Sequence, residues 1–253
     1  SDEPTPEARV PDPERMVQAY YQAVSTLNLL RAFTKGGFAD LTQVHTWNQE
    51  FVSSSLEGRR YEVIANEIGR ALRFMEAIGI DLGDEHSIHE VDIWTSHEAL
   101  LLDYEEPLVR RDSTTGDWYA CSAHFLWVGE RTRQPQGAHV EFLTGVENPV
   151  GAKVGPGTAP EDLVELCERL NPRRVPGRLT LLTRLGAERV GDVLPPLIRA
   201  VRESGVPVLW VCDPMHANTF VTPSGHKTRR FDDVLGEIEG FFAAHREAGS
   251  WPG

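Results

Sequence analysis

Five short apolar segments, separated by segments with helical spacing, constrain the fold of this chain most strongly. The strand candidates are 90–95, 123–128, 150–154, 178–183 and 206–211. The helix candidates between and after them are 98–111, 137–146, 159–170, 190–204 and 230–248. Because strands that alternate with helices form βα units, this order predicts an α/β fold with a parallel sheet. The short connecting helices suit either a barrel or a doubly wound sheet.

The first third of the chain carries helical periodicity without strand candidates. Apolar residues recur every three or four positions over 12–34, and Gly36 and Gly37 supply a stop. A short helix is expected over 41–52 and a longer one over 59–78. We therefore expect three parts, which are a loose tail over 1–13, a helical extension over 14–85 and a βα part over 86–253.

Composition excludes several classes of protein. The net charge of −13 argues against a nucleic-acid or anionic-membrane surface. No apolar run reaches about 18 residues, so no transmembrane helix is expected. The acidic, proline-rich start is unlike a signal peptide. Three widely spaced cysteines, Cys121, Cys167 and Cys212, argue against a disulfide framework and favour a reducing, cytoplasmic compartment.

Polar residues lie at or shortly after the ends of four of the strand candidates. The carboxyl ends of parallel strands meet at one edge of a sheet, where α/β enzymes place their chemistry. We therefore expect these side chains to lie close together. The residues are Glu130, Arg131, Lys153, Arg184, Asp213, His216 and Asn218.

Three of these residues are cations at successive strand ends, namely Arg131, Lys153 and Arg184. A buried cation needs a partner, so each could simply pair with a nearby carboxylate. Three together in an acidic protein favour an anion site instead. Arginine grips a carboxylate or phosphate in a planar, bidentate manner, and lysine adds a point charge.

The remaining candidates each have two interpretations. His216 is either a satisfied structural histidine or, with Asp213 and Asn218 nearby, a metal ligand or an acid/base group. Cys212 could ligate a metal, but its place in an apolar strand favours packing. The basic run 227–230 is expected to open the last helix, where it either binds an anion or is solvated.

Taken together, the motifs resemble those of the type II (plant-like) 3-deoxy-D-arabino-heptulosonate 7-phosphate (DAHP) synthases. The likeness extends from about Pro13 to the C-terminus. It is carried by GERTRQ at 129–134 with GAH at 137–139, NPVGAKVGP at 148–156, PGRLTL at 176–181, TRLG at 183–186, CDPMH at 212–216 and KTRRFD at 227–232. WNQEF at 47–51 and SHEAL at 96–100 belong to it as well.

The resemblance implies a TIM (β/α)₈ barrel with an N-terminal helical extension. It implies a transferase of the shikimate pathway that condenses phosphoenolpyruvate with erythrose 4-phosphate, assisted by a divalent metal such as manganese or cobalt, in a homo-oligomer. By motif match, Glu130, Arg131, Lys153 and Arg184 would bind phosphoenolpyruvate. Lys153 and His216 would be catalytic, and His216 would be a metal ligand.

The sequence also departs from the family pattern. The family has a cysteine ligand on its first barrel strand, an arginine on its second, and Glu and Asp ligands on and after its eighth, and none of these segments is found here. About five βα units are therefore expected, as a partial barrel. Ala217 replaces the usual glycine after His216.

Three hypotheses fit these departures. The chain is an incomplete synthase, or it is a naturally short relative without the metal site that binds phosphoenolpyruvate or phosphate or regulates a synthase. Alternatively, it belongs to a synthase that uses a different aldehyde in specialised metabolism, for which Ala217 is the motivation.

Overall fold

A computed structural model describes residues 5–36, 58–79 and 92–253. The chain divides into two compact units, Ser1–Ile93 and Trp94–Gly253. The short helix predicted over 41–52 lies outside the described residues.

The first unit contains two long helices, α1 (Pro13–Lys35) and α2 (Gly58–Ala77). The Asp12 side chain caps α1 by accepting a hydrogen bond from the Glu14 N–H, and Pro13 occupies the first helical position. The helix ends at Gly36, whose N–H donates to the Ala32 carbonyl. Both helices confirm the predicted ones. A 3-10 turn, Glu7–Arg9, lies in the predicted loose tail.

The second unit contains all the strands, and the remaining helices, of the residues that the structure describes. Its strands are β1 (Ser96–Glu98), β2 (Val109–Arg111), β3 (Trp118–Ala120), β4 (Phe125–Val128), β5 (Val150–Val154), β6 (Leu179–Thr183), β7 (Leu209–Cys212), β8 (Thr219–Val221) and β9 (Lys227–Arg229). Its helices are α3 (Leu102–Glu105), α4 (Ala138–Thr144), α5 (Pro160–Leu170), α6 (Val190–Ser204) and α7 (Phe231–Ala248). A five-stranded sheet has the order β1-β4-β5-β6-β7, and all its pairs are parallel. This confirms the α/β fold with a parallel sheet.

One face of this sheet forms the core with the helices. Side chains alternate along each strand, so Leu126, Ala152 and Leu181 point to the same face and are fully buried. They join one cluster with the inward-facing residues of the helices, among them Leu163 and Leu194. Each fully buried leucine contributes about 1.5–3 kcal/mol of transfer free energy. α4 packs against α5, α5 against α6, and α6 against α7.

The opposite face of the sheet is only partly buried, and it carries a site candidate, Lys153, near the end of β5. It carries Trp127, Lys153 and Leu182, which alternate with the core residues. Gly151, paired with Trp127, lies on this face too, and a β-carbon there would approach the Phe125 ring and the Leu182 side chain to 2.6–2.7 Å. The missing side chain therefore lets two large apolar neighbours meet.

Two predictions at the start of this unit are wrong. The first strand is β1, not 90–95, and residues 92–95 are irregular. The helix predicted over 98–111 is instead the one-turn α3, a 3-10 turn (Glu106–Leu108) and β2, which pairs antiparallel with β3. Pro107 cannot continue an α-helix, and Gly116, with a φ of +83°, closes the hairpin.

The basic run 227–230 does not open the last helix as predicted. Residues Lys227–Arg229 form β9, which pairs antiparallel with β8, and the turn between them contains Gly225 with a φ of +84°. Only Arg230 lies at the cap of α7. The other predicted strands and helices of this unit are confirmed, with ends within three residues of the observed ones.

Candidate functional site

The carboxyl ends of β4, β5, β6 and β7 lie side by side, as the strand order requires. Backbone hydrogen bonds continue the sheet past its ends: the Arg184 N–H donates to the Val154 carbonyl at 2.8 Å, and the Asp213 N–H donates to the Thr183 carbonyl at 2.7 Å. Arg184 is therefore fixed beside the end of β5, which carries Lys153, and Asp213 is fixed beside the end of β6.

Asp213 connects the predicted site residues on this edge. Its carboxylate forms an ion pair with the Lys153 ammonium and lies 2.7 Å from Nδ1 of His216. The side chains of Lys153 and Asp213 are only 15% and 12% exposed. Burial raises the pKa of the Asp213 carboxyl, but hydrogen bonds from Lys153 and His216 outweigh it and leave the pKa lowered. Lys153 therefore does pair with a nearby carboxylate, which was one of its two predicted interpretations.

His216 is held at two points and keeps one ring nitrogen free. Nδ1 faces Asp213, and the His216 carbonyl accepts a hydrogen bond from the Arg184 guanidinium at 2.7 Å. The side chain is 63% exposed, and Nε2 has no hydrogen-bond partner among the described residues. Lys153, Arg184 and His216 are therefore brought together, and Asp213 joins them.

Asp213 was predicted to lie at this edge but was not assigned a catalytic, substrate-binding or metal-binding role. The sequence did hold a signal for it, since a carboxylate directly after a buried strand and three residues before a histidine can hold that histidine. Its contact with Lys153, 60 residues away, had no such signal.

Arg131 is the predicted anion-binding residue whose side chain faces solvent. Its exposed guanidinium makes no hydrogen bond or ion pair with any residue in the described ranges. The loop that carries it is nevertheless ordered, because the Gly129 N–H donates to the Thr132 hydroxyl and the Gln134 amide donates to the Arg131 carbonyl, both at 3.0 Å.

Glu130 turns inward where Arg131 faces solvent. One carboxylate oxygen accepts a hydrogen bond from Arg133 at 2.9 Å, and the other is buried without a partner among the residues that the structure describes. The carboxylate lies over the backbone of Gly155, where a β-carbon would come within 2.6–2.7 Å of it. A glycine is therefore required at 155 for Glu130 to occupy this place.

Cys212 supports the packing interpretation. It lies on the core face of β7, beside Thr183 of β6. Burial, and then the charges of Glu237 and Asp213, raise the pKa of its thiol to about 12. A neutral thiol against the core is a small apolar group.

Within the described ranges, no three histidine, cysteine, aspartate or glutamate side chains converge as a metal site would require. Nor does any described helix have the length and apolar character needed to cross a membrane.

The sheet and the residues after its strands define an α/β protein with a cluster of charged side chains at the carboxyl edge of a parallel sheet. The chain belongs to the class-II DAHP synthetase family, whose sequence model matches residues 1–253. The resemblance seen in the motifs is thereby confirmed.

Two curated relatives are named phospho-2-dehydro-3-deoxyheptonate aldolase. The chain is 54% identical over 249 residues to the one from Streptomyces coelicolor, covering 98% of this chain and 55% of that relative. It is 49% identical over 255 residues to the one named AroG from Mycolicibacterium smegmatis, covering 99% of this chain and 54% of that relative. The chain thus spans about half the length of these relatives.

Proposed function

We propose that this protein is a DAHP synthase, a transferase that condenses phosphoenolpyruvate with erythrose 4-phosphate and water to give DAHP and phosphate. Family membership supports the reaction class. The observation that carries the proposal to this site is the placement of Arg131, Lys153 and Arg184 at adjacent strand ends. Phosphoenolpyruvate carries a carboxylate and a phosphate, the two groups that such cations bind.

The three cations have different roles in this proposal. Arg131 has no competing partner among the described residues and can close on an arriving anion. Arg184 is oriented by its bond to the His216 carbonyl, so it loses less freedom on binding. Lys153 is held by Asp213 and presents its ammonium to the substrate, where it can donate a hydrogen bond or a proton. The backbone near Glu130 would complete the phosphoenolpyruvate site.

The described residues supply only part of a metal site. His216 would offer Nε2 as one ligand, while Asp213 fixes the ring through Nδ1, as carboxylates do for metal-bound histidines. Further ligands are not gathered around it within the described ranges. We therefore propose His216 as a metal ligand, with manganese or cobalt as candidates.

We further propose that the five parallel strands are part of a (β/α)₈ barrel. The strands follow one another in sequence order, and neighbouring helices pack together against one face. A doubly wound sheet would reverse its strand order and carry helices on both faces. The outer side of β7 also pairs with a further segment of the chain after α7, because the Gly253 N–H donates to the Trp210 carbonyl at 2.8 Å.

The test is phosphoenolpyruvate consumption with erythrose 4-phosphate and manganese, in the protein expressed from its complete reading frame. We expect turnover that requires the aldehyde and stops with a chelator. Tight phosphoenolpyruvate binding without turnover or metal uptake, in a folded sample, would favour the binding or regulatory relative instead. Comparable turnover with a different aldehyde, but not with erythrose 4-phosphate, would change the substrate.

A further inference from the structure

Arg133 ties together two loops that border the anion site. Its guanidinium donates to Glu130, in the loop after β4, at 2.9 Å and to the Thr158 hydroxyl, in the loop after β5, at 2.8 Å. The Arg133 side chain is 14% exposed. The contact therefore lies in a shielded environment, where a charge-assisted hydrogen bond is stronger than on the surface.

Thr158 anchors this tie to the backbone next to Lys153. The residue is 8% exposed. Its hydroxyl accepts from Arg133 and donates to the Gly155 carbonyl at 2.8 Å, while its N–H donates to the same carbonyl at 3.2 Å. One hydroxyl thus uses both its donor and its acceptor capacity, and it joins Arg133 to the turn that directly follows β5.

The hydrogen bonds of Arg133 and Thr158 hold the Glu130 side chain in place. Its carboxylate is confined between Arg133 and the bare backbone of Gly155. The second carboxylate oxygen is buried and has no partner within the described residues. An anionic oxygen in this condition is an unused acceptor at the site, which a hydrogen-bond donor such as a bound water would satisfy.

We infer that Arg133 and Thr158 are positioning residues for the phosphoenolpyruvate site. They hold Glu130 and the loop that carries Arg131 in register with Lys153 on the neighbouring strand. The inference rests on the proposed function and adds residues that act through Glu130 rather than on the substrate. Because these contacts are hydrogen bonds, they depend on the Thr158 hydroxyl and not on the volume of the Thr158 side chain.

The experiment compares Thr158→Val, which keeps the shape and removes the hydroxyl, with Thr158→Ser, which keeps the hydroxyl. The control is Thr144→Val, which removes a hydroxyl bonded to the Glu141 carbonyl at 2.7 Å on α4. Steady-state constants for both substrates and thermal unfolding would be measured in the protein expressed from its complete reading frame.

We expect Thr158→Val to weaken apparent phosphoenolpyruvate affinity about tenfold, the size of losing one hydrogen bond to a charged group. The Michaelis constant for erythrose 4-phosphate should change less than twofold, and Thr158→Ser should restore phosphoenolpyruvate affinity. Equal losses in Thr158→Val and Thr144→Val, or loss of stability without a change in affinity, would overturn the inference while the wild-type protein still bound phosphoenolpyruvate. Absence of binding by the wild type would overturn the proposed function itself.

Discussion

Asp213 shows how a single residue can organise a charged site. Its carboxylate faces the Lys153 ammonium on one side and the His216 ring on the other, and it is largely shielded from water. Removing either partner of a buried ion pair leaves an uncompensated charge. Substitutions of Lys153 or Asp213 therefore alter stability and function together. Such variants cannot distinguish a loss of binding from a loss of folding.

Arg184 offers a cleaner test of the anion site. Its contact among the described residues is a hydrogen bond to a backbone carbonyl, so no ion pair is broken by its removal. Arg184→Ala should weaken phosphoenolpyruvate binding by about 2–5 kcal/mol if the guanidinium grips a desolvated carboxylate or phosphate. Titration calorimetry measures the loss.

The matched control for Arg184 is Arg202→Ala. Arg202 is exposed, and it donates to the Ala248 carbonyl at 2.6 Å. It also loses one arginine-to-carbonyl hydrogen bond, so it reports the cost of such a bond outside the site. Unchanged affinity in Arg184→Ala together with reduced stability would return Arg184 to a structural role.

At the scale of elements, helix α7 is joined to the loops near the site by a buried carboxylate. Glu237 is fully buried and accepts hydrogen bonds from the Leu185 N–H at 2.7 Å and from the Asn218 amide at 2.6 Å. Asn218 in turn accepts from the Ala187 N–H at 3.1 Å. One helix residue thereby fixes both the loop after β6 and the loop after β7.

Glu237→Gln should destabilise the protein by about 1–3 kcal/mol, the cost of leaving a buried donor unsatisfied. The new amide group must face either the Leu185 N–H or the Asn218 amide, and both are donors. Flipping Asn218 would break its bond to Ala187. Urea unfolding measures the change, with the exposed Glu239→Gln on the same helix as the control. Equal midpoints for both variants would contradict the role of Glu237.

A second buried group on α7 makes stability depend on pH. His245 packs against Trp210 and Phe241, and its Nδ1 lies 2.7 Å from the Ser250 hydroxyl. Nε2 is buried without a partner among the described residues. Burial lowers the pKa of His245 from 6.5 to about 4, so the folded protein keeps the ring neutral.

The free energy of unfolding should therefore fall as pH is lowered from 6.5 to 4. In this window the unfolded chain binds a proton at His245 and the folded chain does not, which costs about 1.4 kcal/mol per pH unit and about 3 kcal/mol in all. His245→Leu should remove this part of the pH dependence in urea unfolding, whereas the exposed His226→Gln should leave it unchanged. Parallel curves for wild type and His245→Leu would refute the assignment.

The elements differ in how far their sequence determined them. Helix α6 was predicted with its observed ends because a regular apolar pattern stops at Gly205, which has a φ of +70°. The stretch 98–111 also carries apolar residues at helical spacing, but Pro107 and the turn at Gly116 redirect it into a hairpin. The prediction of a helix from the apolar spacing took no account of these turn residues.

The site was predictable at the level of strand ends and not at the level of side-chain partners. Strand order alone placed Lys153 and Arg184 at one edge. Lys153 pairs with Asp213, which lies 60 residues away along the chain. Arg133 donates to Thr158, which lies 25 residues away. Such pairs depend on how neighbouring loops fold over the strand ends, which periodicity does not encode.

On the scale of the second unit, the two faces of the sheet are unequal. The face towards the helices is closed, whereas the opposite face shows Trp127, Leu182 and Val211 partly exposed and Leu209 46% exposed. Leu209 lies on β7, an edge strand among the described strands, whose outer side is met at Trp210 by the Gly253 N–H. Partly exposed apolar side chains on such an edge strand favour association between chains. In a completed barrel the same face would become the interior.

The 253-residue chain by itself should therefore associate as its concentration rises, and Leu209→Lys should reduce this association. A lysine at this position places a charge on the edge strand, which disfavours pairing between sheets. Sedimentation velocity over a range of concentrations measures the change, with Val175→Lys as the control, since Val175 is 42% exposed in the loop between α5 and β6. Association that is unchanged in Leu209→Lys, or equally reduced in Val175→Lys, would show that the edge is not responsible. The barrel proposal adds a second expectation: in the protein expressed from its complete reading frame, Leu209 faces the interior, so Leu209→Lys should lower the midpoint of thermal unfolding while Val175→Lys leaves it unchanged.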